Sequence, residues 1–238
     1  MAATIELTSA SSNMESYLSS WSSGFTSNYG AFWSSSTGLV TNPSGTDTYT
    51  AWGAGQTGSK GVVLEGSMQY TQGDLTGDVN SVVLGTGYSQ SGAGIAVSQE
   101  ELFITPEDND PTSTFDYAIY DLTVNGSIGG LYNYLASVGT VIEDTSSSDV
   151  LVGFGGADTF VFSGGSDTVK AGGTGTAGYQ DGTDKLDVSA WGALNFAYLD
   201  ISDDGNGNAL VESWIGPEQF VLEGVDYTDL DSSDFLFA

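Results

Sequence analysis

Apolar and polar positions alternate along much of the first half of the chain. The segments "TYTAWG" (48–53), "GVVLEGSMQYT" (61–71), "DVNSVVLGTGY" (78–88) and "ELFITP" (101–106) combine that alternation with β-branched and aromatic residues. Period two in such residues predicts strands. A shorter strand, "TIEL" (4–7), opens the chain. Between these come segments with helical spacing. Asn13 reads as the N-cap of "MESYLSSWSSGF" (14–25), in which Tyr17, Leu18, Trp21 and Phe25 share one face. "IGGLYNYLASVG" (128–139) reads as a helix that Gly139 ends. "FDYAIYDLTV" (115–124) fits either a strand or a strand-to-helix passage. The order of helix, antiparallel strands and helix predicts an α+β domain.

The pattern changes near residue 143. A polar stretch, "VIEDTSSSD" (141–149), separates two apolar regimes, so the expected domains are 1–142 and 143–238. Beyond it, aspartate recurs every nine residues, at 149, 158 and 167, and an apolar residue follows each two places later: Leu151, Phe160, Val169. "GFGGADTFV" (153–161) carries turn glycines at 153, 155 and 156, and "FSGGSDTVK" (162–170) carries Gly164 and Gly165. A repeat of this form is the calcium-binding nonapeptide G-G-x-G-x-D-x-U-x. Glycines permit the tight turn, aspartate supplies a hard oxygen anion for Ca²⁺, and the last three residues form a short strand. Two nonapeptides make one turn of a parallel β-roll, so ligands pair between repeats n and n+2. That rule joins Asp149 to Asp167 in one site. Asp158 falls on the opposite edge, where the repeat has Thr176 in place of aspartate and Asp181 or Asp184 is the candidate substitute. The second domain is therefore expected to be a β-rich, short parallel β-roll that folds when calcium neutralises its carboxylates.

Charge sharpens this picture. Asp and Glu number 31 against three lysines (Lys60, Lys170, Lys185), and the net charge is −28. Nucleic acid and anionic membrane surfaces are poor partners for such a chain, whereas divalent cations are good ones. There is no cysteine and no histidine. Disulfides, thiolate chemistry and Ser-His-Asp catalysis are excluded, and paired carboxylates are too common among so many acids to mean anything. We expect no enzyme. No apolar run approaches the length of a membrane span, and the first residues, "MAATIELTSASSNMESYLSSW", lack the basic and apolar regions of a Sec-type signal peptide.

The pieces "ADTFVFSGGSDTV", "DGTDKLDVSAWG" and "GVDYTDLDSSDFLFA" resemble the C-terminal region of serralysin-type RTX proteins. That resemblance implies export by a type I secretion machinery to the extracellular space, through a C-terminal acidic stretch closed by Phe235-Leu236-Phe237. The serralysin protease motif is absent. "DDGNGNALV" (203–211) is a weak echo of a calcium loop and reads better as a hairpin turn.

The first part resembles the HasA-type hemophores in the pattern and order of "SYLSSWSSGFTSN", "YTAWGAGQTGSKGVVLEGSMQYT" and "TGDVNSVVLGTGYSQSG". The resemblance implies a curved antiparallel sheet with helices on one face. It also implies haem as a possible cofactor, with Tyr70 as axial ligand and Tyr29 in the second loop. The family's supporting histidine has no counterpart here, so a plain strand role for Tyr70 competes with ligation. The expected function is that of a secreted calcium-binding structural, matrix, filament or surface subunit that self-associates. The alternative is a haem-binding hemophore.

Overall fold

The computed structural model describes residues 2–108 and 111–238. In chain order its strands and helices are β1 (Ala3–Leu7), α1 (Met14–Ser19), β2 (Ala31–Ser34), β3 (Gly38–Val40), β4 (Tyr49–Gly55), β5 (Gly61–Thr71), β6 (Asp74–Thr86), β7 (Ser89–Ser91), β8 (Gly94–Ala96), β9 (Gln99–Thr105), α2 (Ser113–Tyr120), α3 (Gly129–Val138), β10 (Thr140–Glu143), β11 (Val150–Leu151), β12 (Asp158–Val161), β13 (Ser166–Val169), β14 (Lys185–Asp187), β15 (Leu199–Asp203), β16 (Ala209–Ser213), β17 (Gln219–Leu222) and β18 (Phe235–Leu236). Two compact units emerge. One spans Leu18–Tyr134, and the other combines Ala2–Tyr17 with Leu135–Ala238.

In the first unit the strands run in the order β9-β6-β5-β4-β2-β3, every neighbour antiparallel. β5 and β6 join through a two-residue turn, Gln72-Gly73, and pair from Thr71↔Asp74 to Gly61↔Gly85. The alternation in their sequences sets two buried faces. Val63 and Val83 face one way and pack with Ala31, Ala51, Tyr88, Ile95 and Val97. Val62, Leu64, Val82 and Leu84 face the other way and are equally buried. The first face is covered by the small hairpin β7–β8, which supplies Ile95.

This corrects the expected fold. An α+β domain with helices on one face, followed by a short β-roll, does not describe the chain. Strands dominate: eighteen strands stand against three α-helices among the described residues, arranged in large mixed sheets. The cause is partly local. The helix expected over 14–25 stops at Ser19, because its second half is Ser-Ser-Trp-Ser-Ser-Gly, poor in helix formers. Asn13 does cap it, accepting from the amide of Ser16 at 2.9 Å. The ambiguous segment 115–124 is helical. Thr112 caps α2 by accepting from Phe115 N, and a π turn, Asp121–Asn125, continues it to Gly126.

In the second unit parallel strands alternate between two sheets. β1, β10, β12, β14 and β18 pair in that order on one side, and β11, β13 and β17 on the other. β16 and β15 extend the second sheet with antiparallel pairing. Thr140 lies opposite Asp158, and Val150 opposite Thr168, both an offset of 18 residues. The core lies between these sheets. Phe162, just after β12, stacks on Phe220 of β17 with centroids 3.9 Å apart and planes 10° apart, and Trp191 tilts against both.

Candidate functional site

The second unit concentrates acids at the start of its short strands. Alternation between sheets separates the phased aspartates: Asp158 opens β12 on one side, while on the other Asp149 precedes β11 and Asp167 lies in β13. The amide of Asp149 donates to Asp167 Oδ1 at 2.9 Å. Asp149 Oδ2 accepts from Thr145 N at 3.0 Å and Thr145 Oγ1 at 2.7 Å. Gly165 makes this close stacking of turns possible. Its φ is +102°, and a Cβ there would strike the carbonyl of Ser147.

A third carboxylate joins them. Asp144 follows β10 and accepts from Ser163 N through Oδ1 at 2.7 Å. Asp144, Asp149 and Asp167 each offer one ligand oxygen, and these oxygens lie within 4.8 Å of one another. All three are buried, at 8, 2 and 1 % exposure. Each spends one oxygen on backbone donors. The other oxygen (Asp144 Oδ2, Asp149 Oδ1, Asp167 Oδ2) is buried with no donor. Three clustered, half-satisfied carboxylates out of water are costly as anions. Burial, reinforced by the neighbouring carboxylates, pushes Asp144 and Asp167 each up to about 7. Protons relieve that cost at low pH, and a hard cation relieves it at neutral pH.

Asp158 and Asp184 also come together, but differently. Asp158 Oδ1 accepts from Thr140 N and Thr140 Oγ1, and its Oδ2 from Phe154 N at 2.8 Å. Asp184 Oδ1 accepts from Asp158 N, and Oδ2 from Gln180 N. None of these four oxygens lacks a donor, so the pair fastens turns. Gly153 pairs with Ala177 through an isolated bridge, and a Cβ on it would press on Asp158 Oδ2 at 2.5 Å. Gly155 and Gly156 belong to the Asp158 turn, and Gly164 and Gly165 to the Asp167 turn. Asp204 sits in the β15–β16 hairpin, where Asn206 and Asn208 donate to it and hold it down at about 2.

The first unit holds a cleft of about 580 Å³. Both tyrosines singled out from the sequence line it. Tyr29 is 76 % exposed on a loop that leans on Trp52, where a Cβ on Gly30 would lie 2.7 Å from the indole. Tyr70 stands one residue before the end of β5, and its phenol oxygen accepts from Gly73 N at 3.1 Å. Phe32 and Trp52 complete the sheet side, with Phe32 centred 5.3 Å from Tyr70 and 6.4 Å from Trp52. α2 supplies Asp116, Tyr117 and Tyr120, and β6 supplies Asp74. Burial pushes Asp116 up to about 6, against the pull of the Leu75 amide.

Asp144 escaped the sequence reading because it lies outside the nine-residue phase. The α2 side of the cleft escaped it too, although Asp116, Tyr117 and Tyr120 share a helical face once 115–124 is read as helix.

No family model matches the sequence, and no curated protein matches it. Two solved structures of the hemophore HasA from Yersinia pestis are similar. The holo form aligns at 16 % identity with a TM-score of 0.45, covering 57 % of this chain and 89 % of that one. The apo form aligns at 16 % identity with a TM-score of 0.44 over the same shares. No helix among the described residues is long and apolar enough to cross a membrane.

Proposed function

We propose that the chain is a secreted, non-catalytic calcium-binding protein in which Ca²⁺ at Asp144, Asp149 and Asp167 locks the second unit. One observation carries this reading: three buried carboxylates lie within ligand distance of one another, each with a buried oxygen that has no donor. All-oxygen ligation by several carboxylates suits Ca²⁺ and not the softer metals, which favour histidine or cysteine. Calorimetric titration of the full chain tests it. Calcium is expected to bind and to raise the melting temperature, and EDTA to reverse both. No heat of binding and no response to EDTA would remove the proposal.

The reading extends to self-association outside the cell. Charge of −28 opposes contact between copies, and bound calcium lowers that barrier. Exposed Leu194, Trp214 and Ile215 in the second unit offer apolar surface for it. Light scattering at rising calcium tests this part, and a calcium-loaded monomer ends it. Export by the type I route is tested by removing residues 189–238, which is expected to retain the protein in the producing cell.

Haem binding is the second reading, favoured by Tyr29 and Tyr70 lining the same cleft. It requires a Soret band with haemin that Tyr70→Phe abolishes.

A further inference from the structure

The composition of the cleft in the first unit is informative beyond its tyrosines. Its aromatic faces come from separate elements: Phe32 from β2, Trp52 from β4, Tyr70 from β5, and Tyr117 and Tyr120 from α2. The charged side chains that line it are Asp74 and Asp116, and none of the three lysines does. Lys60, the lysine of this unit, donates instead to the carbonyls of Ser20, Trp21 and Ser23 at 2.8–3.2 Å. An anion entering the cleft therefore meets two carboxylates and no cation.

Asp116 is also poorly solvated. Its Oδ2 accepts one long bond from Leu75 N, at 3.3 Å, and its Oδ1 is buried with no donor. A carboxylate in that state is stabilised by a positive charge nearby. Ring faces act in the same direction, because their quadrupole attracts cations and repels anions. Aromatic rings and carboxylates around a pocket of ligand size thus select for one sign of charge.

We infer that this cleft binds an organic cation, an ammonium group carried on an apolar or aromatic body. The body lies against Phe32, Trp52 and Tyr70, and the ammonium faces Asp116 and Tyr117. Such a site is independent of the calcium reading and opposes haem, whose propionates would meet two carboxylates and no cation here.

Calorimetry on the full chain with calcium present decides it. The probes are benzyltrimethylammonium, its uncharged carbon isostere neopentylbenzene, haemin and maltopentaose. Benzyltrimethylammonium is expected to bind about tenfold or more tightly than the isostere. Asp116→Asn, which keeps an acceptor for Leu75, is expected to weaken the cation about tenfold and leave the isostere unchanged. Tyr117→Ser, at an exposed position, guards against a folding defect and is expected to weaken it too. Binding is expected to fall below pH 6 in the parent and to be flat in Asp116→Asn. The other ionisable groups lining the cleft are Asp74 and Tyr29, Tyr70, Tyr117 and Tyr120. Equal binding of the isostere, binding of haemin or maltopentaose in place of the cation, or no binding of any probe would each overturn the inference. Calcium affinity unchanged through these outcomes keeps them separate from the fate of the metal site.

Discussion

The amide of Asp149 donates to the carboxylate of Asp167, 2.9 Å away, across two turns that stand two repeats apart. The bond positions both carboxylates and leaves Asp167 Oδ2 without a donor. Removing the charge while keeping the shape isolates the metal role. Asp167→Asn is expected to weaken calcium about tenfold or more, since affinity follows the number of ligand charges. Asp144→Asn is expected to do the same, and Asp204→Asn to do nothing. Calorimetry measures all three, and equal losses at 167 and 204 would contradict the assignment.

Asp158 is expected to matter for folding and not for calcium. Asp158→Ala strips donors at Thr140 and Phe154 of their acceptor. Hydrogen bonds to a charged group contribute roughly 1.5–3 kcal/mol each, so the loss is about 3 kcal/mol or more. Thermal unfolding is the measurement, with calcium stoichiometry unchanged.

The response to pH is expected to depend on calcium. Asp144 and Asp167 titrate near 7, and Asp116 and Asp184 near 6, all raised by burial. Each group binds its proton more tightly folded than unfolded. Its contribution is fully present below about 4, the unfolded carboxylate value, and is lost as pH rises through 6 to 7. In EDTA the melting temperature is expected to fall between pH 5 and pH 8. With millimolar calcium the cation replaces the protons at the cluster, and the fall is expected to shrink or invert. A calcium-free protein that gains stability over this range would refute the account.

Gly165→Ala probes the turn beneath the site. The residue sits at φ +102° with Ser147 O against the place a Cβ would take. The substitution is expected to cost about 1–2 kcal/mol in backbone strain alone. It is also expected to weaken calcium, because it pushes the 145–149 turn away from Asp167. Unchanged calcium affinity would detach the turn from the site.

How far the sequence carries a reader depends on what each element needs. β5 is legible because its alternation and its closing Gln72-Gly73 turn are both local. α2 is not, since Phe115, Tyr117 and Ile119 also satisfy period two, and the Thr112 cap decides for helix. Period nine exposes Asp149 and Asp167, while Asp144 reaches them only through the path of the chain after β10. The period alone also cannot tell Asp158 from its neighbours. That difference lies in which donors, Thr140 and Phe154 among them, each carboxylate finds. The hairpin that covers one face of the first sheet is similarly hidden, because β7 and β8 are three residues each, too short for a pattern.

The first strand of the chain pairs with one encoded far downstream: Ala3 lies beside Thr140 in parallel register. During synthesis β1 emerges early and meets β10 only after the whole first unit has followed it. Parallel partners so distant in sequence close slowly. Until then residues 2–17 wait apart from the rest of their unit, whose parallel pairing ends only with β18. The order of its strands thus sets the order of its closure, with the second unit settling only after the first is made.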